Sequence, residues 1–179
     1  MLAGVAGYVN ALGWATSNVF PGVMSGNTIL LCLAIDQRFR ASAILAAFAI
    51  VGFAGGRTLA HRFDRTLPSQ GALLLAALFT LAAALLATVG GARGGDFAVF
   101  AASVAMGAQG VVGPTFVSGM LTGAVDGLTT DGVIWLAYAC GAGALGAVHL
   151  APALVHIAWF LPPIMLVAIA TRTSANLPT

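Results

Sequence analysis

The chain has no lysine and no glutamate. Seven arginines and five aspartates leave only 7% of its 179 residues charged, where a soluble domain has about 25%. That is too little charge to clothe a water-facing surface. A soluble enzyme, a nucleic-acid-binding protein and a disordered chain are thereby excluded. Alternating strands of the membrane-barrel kind are missing too. So is a basic start: Met1 to Val9 carry no charged side chain, and no cleavable signal pattern is seen. The two cysteines, Cys32 and Cys140, lie inside apolar runs and read as small core residues, not as a disulfide or a metal pair. His149 and His156 straddle Pro152 with no third ligand nearby, so no metal is expected. No nucleophile–base pair, phosphate loop or carboxylate pair is found, so the chain is not read as an enzyme and no cofactor is expected.

What is present is sequence suited to hydrocarbon: 60% hydrophobic, with a mean hydropathy of +1.01. A bilayer-crossing helix takes about 20 apolar residues, so the length allows about six spans and no soluble domain. The net charge of +2 reflects a few loop arginines. Helix is the only state that pairs every backbone group within hydrocarbon without closing a barrel. Six apolar segments follow: 2–35, 41–62, 71–90, 97–126, 132–151 and 153–171. The first is interrupted by Asn18 and Pro21, the fourth by Gly110, Gly113 and Pro114. Residues 1–92 and 93–179 therefore each read as one broken helix followed by two plain ones, within a single integral membrane domain.

The two breaks match. Pro21-Gly22-Val23-Met24-Ser25-Gly26 faces Pro114-Thr115-Phe116-Val117-Ser118-Gly119, and each leads to a helix ending at an aspartate, Asp36 or Asp126. Upstream, Gly7-Tyr8-Val9-Asn10 faces Gly107-Ala108-Gln109-Gly110; downstream, Gly52-Phe53-Ala54-Gly55 faces Gly143-Ala144-Leu145-Gly146. If each broken element crosses once, each half has an odd number of crossings. The fold class expected is then an all-α polytopic membrane protein of two inverted three-helix repeats, a recurring transporter architecture. Arg57, Arg62, Arg65 and Arg172 fall on the side of both termini, and Arg38, Arg40 and Arg93 on the other. That slight excess places the termini in the cytoplasm.

Proline suits the first turn of a helix, so Pro21 and Pro114 are expected to start half-helices within the membrane. Such starts expose unpaired N–H groups and a positive dipole end. Two of them brought together form a polar pocket suited to an anion or a neutral hydrogen-bonding solute. The expected lining is Asn10, Ser25, Gly26, Asn27 and Thr28 from the first half, and Gln109, Ser118, Gly119 and Thr122 from the second. Asn18 is a further polar side chain at the break. The blander account is kinked, packed helices with interhelical hydrogen bonds. Arg57 could meet an anionic solute or snorkel to headgroups, and Asp126 could couple protons or bound a helix. The pairs Gly22/Gly26 and Gly52/Gly56 mark close helix contacts, and Trp14, Trp135, Tyr138 and Trp159 read as interfacial or packing aromatics.

The segment Ala6-Gly7-Tyr8-Val9-Asn10-Ala11-Leu12-Gly13, followed by Val19-Phe20 and Met24-Ser25-Gly26-Asn27-Thr28, resembles the YoaK-like family of bacterial multi-span membrane proteins, a domain of unknown function (1275). Met106-Gly107-Ala108-Gln109-Gly110 and Val117-Ser118-Gly119 partly meet that family's second motif. The resemblance implies about six spans, an inner-membrane location and an unassigned transport role. Asn10 stands where the family usually has an acid, Ser25 and Ser118 replace threonines, and Gly110 replaces an asparagine. Losing the acid at position 10 removes a proton-coupling group and leaves facilitated passage open. The expected function is a small transporter or facilitator for a small polar or anionic solute, by rocking of one repeat against the other. A pore and a non-transporting membrane assembly protein are the alternatives. The small residues predict a homo-oligomer, a dimer first, in the lipid bilayer.

Overall fold

The computed structural model describes residues 2–33, 38, 40–64, 70–112, 130–149 and 155–175. Among them the fold is all-α, with no strand. The helices are α1 (Leu2–Ser17), α2 (Met24–Cys32), α3 (Arg40–Asp64), α4 (Gln70–Val89), α5 (Gly94–Gln109), α6 (Thr130–His149), the short α7 (Val155–Ala158) and α8 (Leu161–Ala175). Among the described residues, α3, over Arg40–Phe63, and α4 are the helices long and apolar enough to cross a membrane by length and composition.

α1 and α5 form the centre. Val5, Ala6, Val9 and Leu12 of α1 are buried, as are Ala98, Ala102, Ala105, Met106 and Ala108 of α5. Helices hydrophobic on all sides belong in a core. α3, α4, α6 and α8 surround them and turn large apolar side chains outward, including Phe48, Val51, Leu78, Leu85, Leu136 and Ile164. Hydroxyls in α3, α4 and α5, exposed or buried, turn to their own backbone. Thr58, Thr80, Thr88 and Ser103 each donate to a carbonyl of their own helix one turn back, which satisfies the group locally.

α1 finishes where α5 begins, with Ser17 next to Gly95. At the other end, the Gln109 Nε2 donates to the Leu2 carbonyl at 2.8 Å. The two are therefore antiparallel. α3 and α5 run parallel, Gly52 lying against Phe100 and Gly56 against Val104. α4 returns against α5 through a tight connection in which Gly91 takes φ 60°, a conformation glycine reaches without strain.

The first apolar segment is not a span interrupted in line. α1 is a complete helix of 16 residues, about 24 Å long at 1.5 Å per residue. Asn18 then adopts φ 54°, which asparagine tolerates better than most residues, and the chain turns back along α1. Pro21 rests on Gly13, and Gly22 reaches Asn10. α2 starts there, level with the middle of α1, and heads toward the start of α3, so that Leu30 packs with Ala46, Ala49 and Val99. Pro21 thus sits in the return, three residues before the first residue of α2, rather than in the opening turn of a half-helix. Its ring is held by packing on Gly13, where any Cβ would collide with it.

Candidate functional site

The side chains around the first break chiefly serve its backbone. The Asn10 Nδ2 donates to the Ala6 carbonyl at 2.9 Å, and its Oδ1 accepts from the Gly22 N–H at 2.7 Å. A side-chain hydrogen bond also joins Asn10 to Tyr138 of α6. Asn10 therefore ties α1, the return and α6 at one point, with Met106 of α5 against Gly22. Asn27 is wholly buried and pairs like a backbone unit with Phe20: its Oδ1 accepts from Phe20 N–H at 3.1 Å and its Nδ2 donates to Phe20 O at 2.6 Å. The Phe20 ring covers Gly26 and stacks on Trp14, centroids 4.7 Å apart.

The start of α2 has no side-chain cap, because Val23 precedes it and offers no oxygen. Its first-turn N–H groups lack the partner that a Ser, Thr, Asp or Asn cap supplies. Ser25 lies in that turn and is exposed; Thr28 is exposed too, with its hydroxyl donating to the Met24 carbonyl at 2.9 Å. Gln109 is fully buried at the end of α5, and its Oε1 finds no hydrogen-bond partner among the described residues. Arg57 is exposed on α3, where its backbone passes Gly107. Ser118, Gly119, Thr122 and Asp126, with Pro114, lie outside the described residues. The structure thus gathers Asn10 with Gly22, pairs Asn27 with Phe20, and leaves Ser25 and Thr28 outward.

Two expectations change. Cys32 and Cys140 are free but exposed, not core residues; in a chain whose outer surface is itself apolar, an apolar run does not distinguish inside from outside. The pair Gly22/Gly26 is not one helical face: Gly22 meets Asn10 in the return and Gly26 meets Phe20. Gly52/Gly56, by contrast, does form the face of α3 that meets α5.

The central helices each meet a neighbour through glycines at the same spacing. A methyl on Gly107 of α5 would strike the Phe53 carbonyl of α3, and one on Gly56 would strike the Val104 carbonyl. On the other side, a methyl on Gly7 of α1 would strike the Tyr138 carbonyl of α6, and one on Gly141 would strike the Gly4 carbonyl. The partners are three residues apart in every helix: 4 and 7, 104 and 107, 53 and 56, 138 and 141. The two contacts share this spacing. By this spacing Gly56 would stand opposite Gly141, whereas the sequence comparison sets Gly52 opposite Gly143. Tyr138 and Met106 were also not singled out for the site; nothing in their local spacing shows that α6 and α5 converge on Asn10.

A groove of ≈ 520 Å³ opens between α1, α6 and α8, lined by Tyr8, Cys140, Gly141 and Met165 among others. Tyr8 donates its hydroxyl to the Ala158 carbonyl at 3.1 Å, closing one side. α4 lies along the whole of α5, whereas α8 touches α1 only sparsely.

An all-α bundle with membrane-length apolar helices and a helix that starts level with the middle of its neighbour is the class these features define. Residues 1–171 match the family described as Protein of unknown function (DUF1275), and the chain belongs to it. No curated protein and no solved structure matches the chain.

Proposed function

We propose that the chain is an integral membrane protein of about six spans, built as two inverted three-helix repeats, and that it moves a small polar or anionic solute as a transporter or facilitator. The observation that carries this reading is the uncapped start of α2, set beside buried Asn10 at mid-height of α1. Free amide groups at that depth in hydrocarbon are costly unless water or a solute meets them. The matched glycine contacts of α1 with α6 and α5 with α3 support the repeat. The outward apolar side chains of α3, α4, α6 and α8 support the bilayer.

An inverted repeat also gives the asymmetry a meaning. α8 against α1 is the counterpart of α4 against α5. One contact is closed and the other is parted by the ≈ 520 Å³ groove. In this reading the path is open at the α1–α6–α8 side, and rocking α8 onto α1 closes it while α4 parts from α5. The test is flux of inorganic phosphate, acetate and glycerol into proteoliposomes. The intact protein is expected to pass at least one of them, and Ser25→Trp, which plugs the start of α2 without touching the core, is expected to abolish it. Flux equal to that of empty liposomes for all three, or unaltered flux with Ser25→Trp, contradicts the reading. Rates far above a carrier cycle make the same path a channel.

A further inference from the structure

The strongest unassigned feature is a second groove, of ≈ 390 Å³, between the N-terminal parts of α3 and α5. Ile44 and Phe48 of α3 form one wall, Phe97 and Phe100 of α5 the other, and Arg93 and Asp96 stand at its end. The walls are strongly exposed: Ile44 and Phe48 are each 55% accessible and Phe97 59%. Arg93 belongs to the connection between α4 and α5, and Arg40 lies one turn before Ile44 at the same end of the bundle. Neither arginine has an ion-pair partner among the described residues. Asp96 is accounted for by its place in the first turn of α5, where the helix dipole favours an acid. Arg93 closes the single turn that follows the carbonyl end of α4, where a cation is favoured, and from there it also lines the groove.

We propose that this groove binds one anionic phospholipid, an acyl chain between the phenylalanines and the phosphate against Arg93. The chemistry is complementary along its length: an apolar trough for hydrocarbon, then a guanidinium that makes paired hydrogen bonds to phosphate. Basic pockets between membrane helices take anionic headgroups in this way. The proposal does not depend on transport; it needs only that these helices face lipid.

The experiment is native mass spectrometry of the full chain released from nanodiscs that contain equal amounts of phosphatidylglycerol and phosphatidylcholine. The intact protein is expected to retain one phosphatidylglycerol in preference to phosphatidylcholine. Arg93→Gln is expected to lower that preference about fivefold, the share of one arginine near an anionic lipid. Ile44→Trp, which fills the trough, is expected to lower retention of both lipids, and both exposed variants should keep the helical circular dichroism of the parent. If Arg93→Gln fails to fold, Arg40→Gln is read in its place and is expected to lower the same preference. Equal retention of the two lipids by the intact protein, or an unchanged preference in the arginine variant, overturns the proposal. Displacement of the lipid by millimolar inorganic phosphate makes this a free-anion site instead, and a shift from dimer to monomer on Ile44→Trp makes it a surface covered by a second copy; either result also overturns it.

Discussion

Two asparagines do the work of backbone. Asn27 gives Phe20 both a donor and an acceptor, and Asn10 gives Gly22 an acceptor. These bonds hold a stretch that is neither helix nor strand inside an apolar bundle, where every amide needs a partner. Replacing Asn27 with leucine leaves the Phe20 amide and carbonyl unpaired, a loss of about 2–3 kcal/mol. The midpoint of unfolding in mixed detergent should fall accordingly, with helix content unchanged at low denaturant. Thr28→Val is the contrasting case. Its hydroxyl serves only its own helix from an exposed position, so its midpoint should stay within about 0.5 kcal/mol of the parent, as for most surface changes. The polar character of Asn10 and Asn27 was legible in the sequence as a sign of a break; their partners were not. Whether an amide side chain meets a solute or a neighbouring peptide depends on where the chain turns back, and Asn18 alone does not say.

Glycine faces set the packing of the helices. α1 meets α6, and α5 meets α3, at backbone-to-backbone distance, where dispersion contacts drive helix association in lipid. Gly7→Ala and Gly107→Ala should each destabilise by about 1–3 kcal/mol, the range for forcing a methyl into a filled space. Gly55→Ala and Gly143→Ala meet nothing within 4 Å and should be neutral or slightly stabilising, since alanine is the better helix former. Thermal midpoints of the four variants, measured side by side, check this. A uniform effect across all four would mean that helix propensity, not contact, decides. The all-α state was readable from the apolar runs and the absence of alternation. Which glycines meet a neighbour was not, because a glycine-rich and alanine-rich sequence offers several candidates and only the carbonyl that each glycine faces chooses among them.

At the scale of the whole molecule, the proposed rocking motion would bring the parted α1–α8 contact together as the closed α4–α5 contact opens. Cys140 lines the open groove opposite Met165. In a Cys32→Ser background, a short bismaleimide bridging Cys140 to Met165→Cys should freeze the groove and stop flux, while each cysteine alone leaves flux intact. Family membership was legible from Gly7 to Asn10 and from Met24 to Thr28; the way α1 completes itself before α2 begins was not, since a return and an in-line kink share the same Asn18–Pro21 signature. The central claim is that the start of α2 and its counterpart near Ser118 open on water within the bilayer. It is tested most directly by placing cysteine at Ser25, and separately at Ser118, in a chain free of Cys32 and Cys140, and measuring reaction with a charged, membrane-impermeant thiol reagent in proteoliposomes. Rapid labelling at both positions is the predicted result; labelling at neither, with reaction only toward a lipid-soluble maleimide, would contradict it.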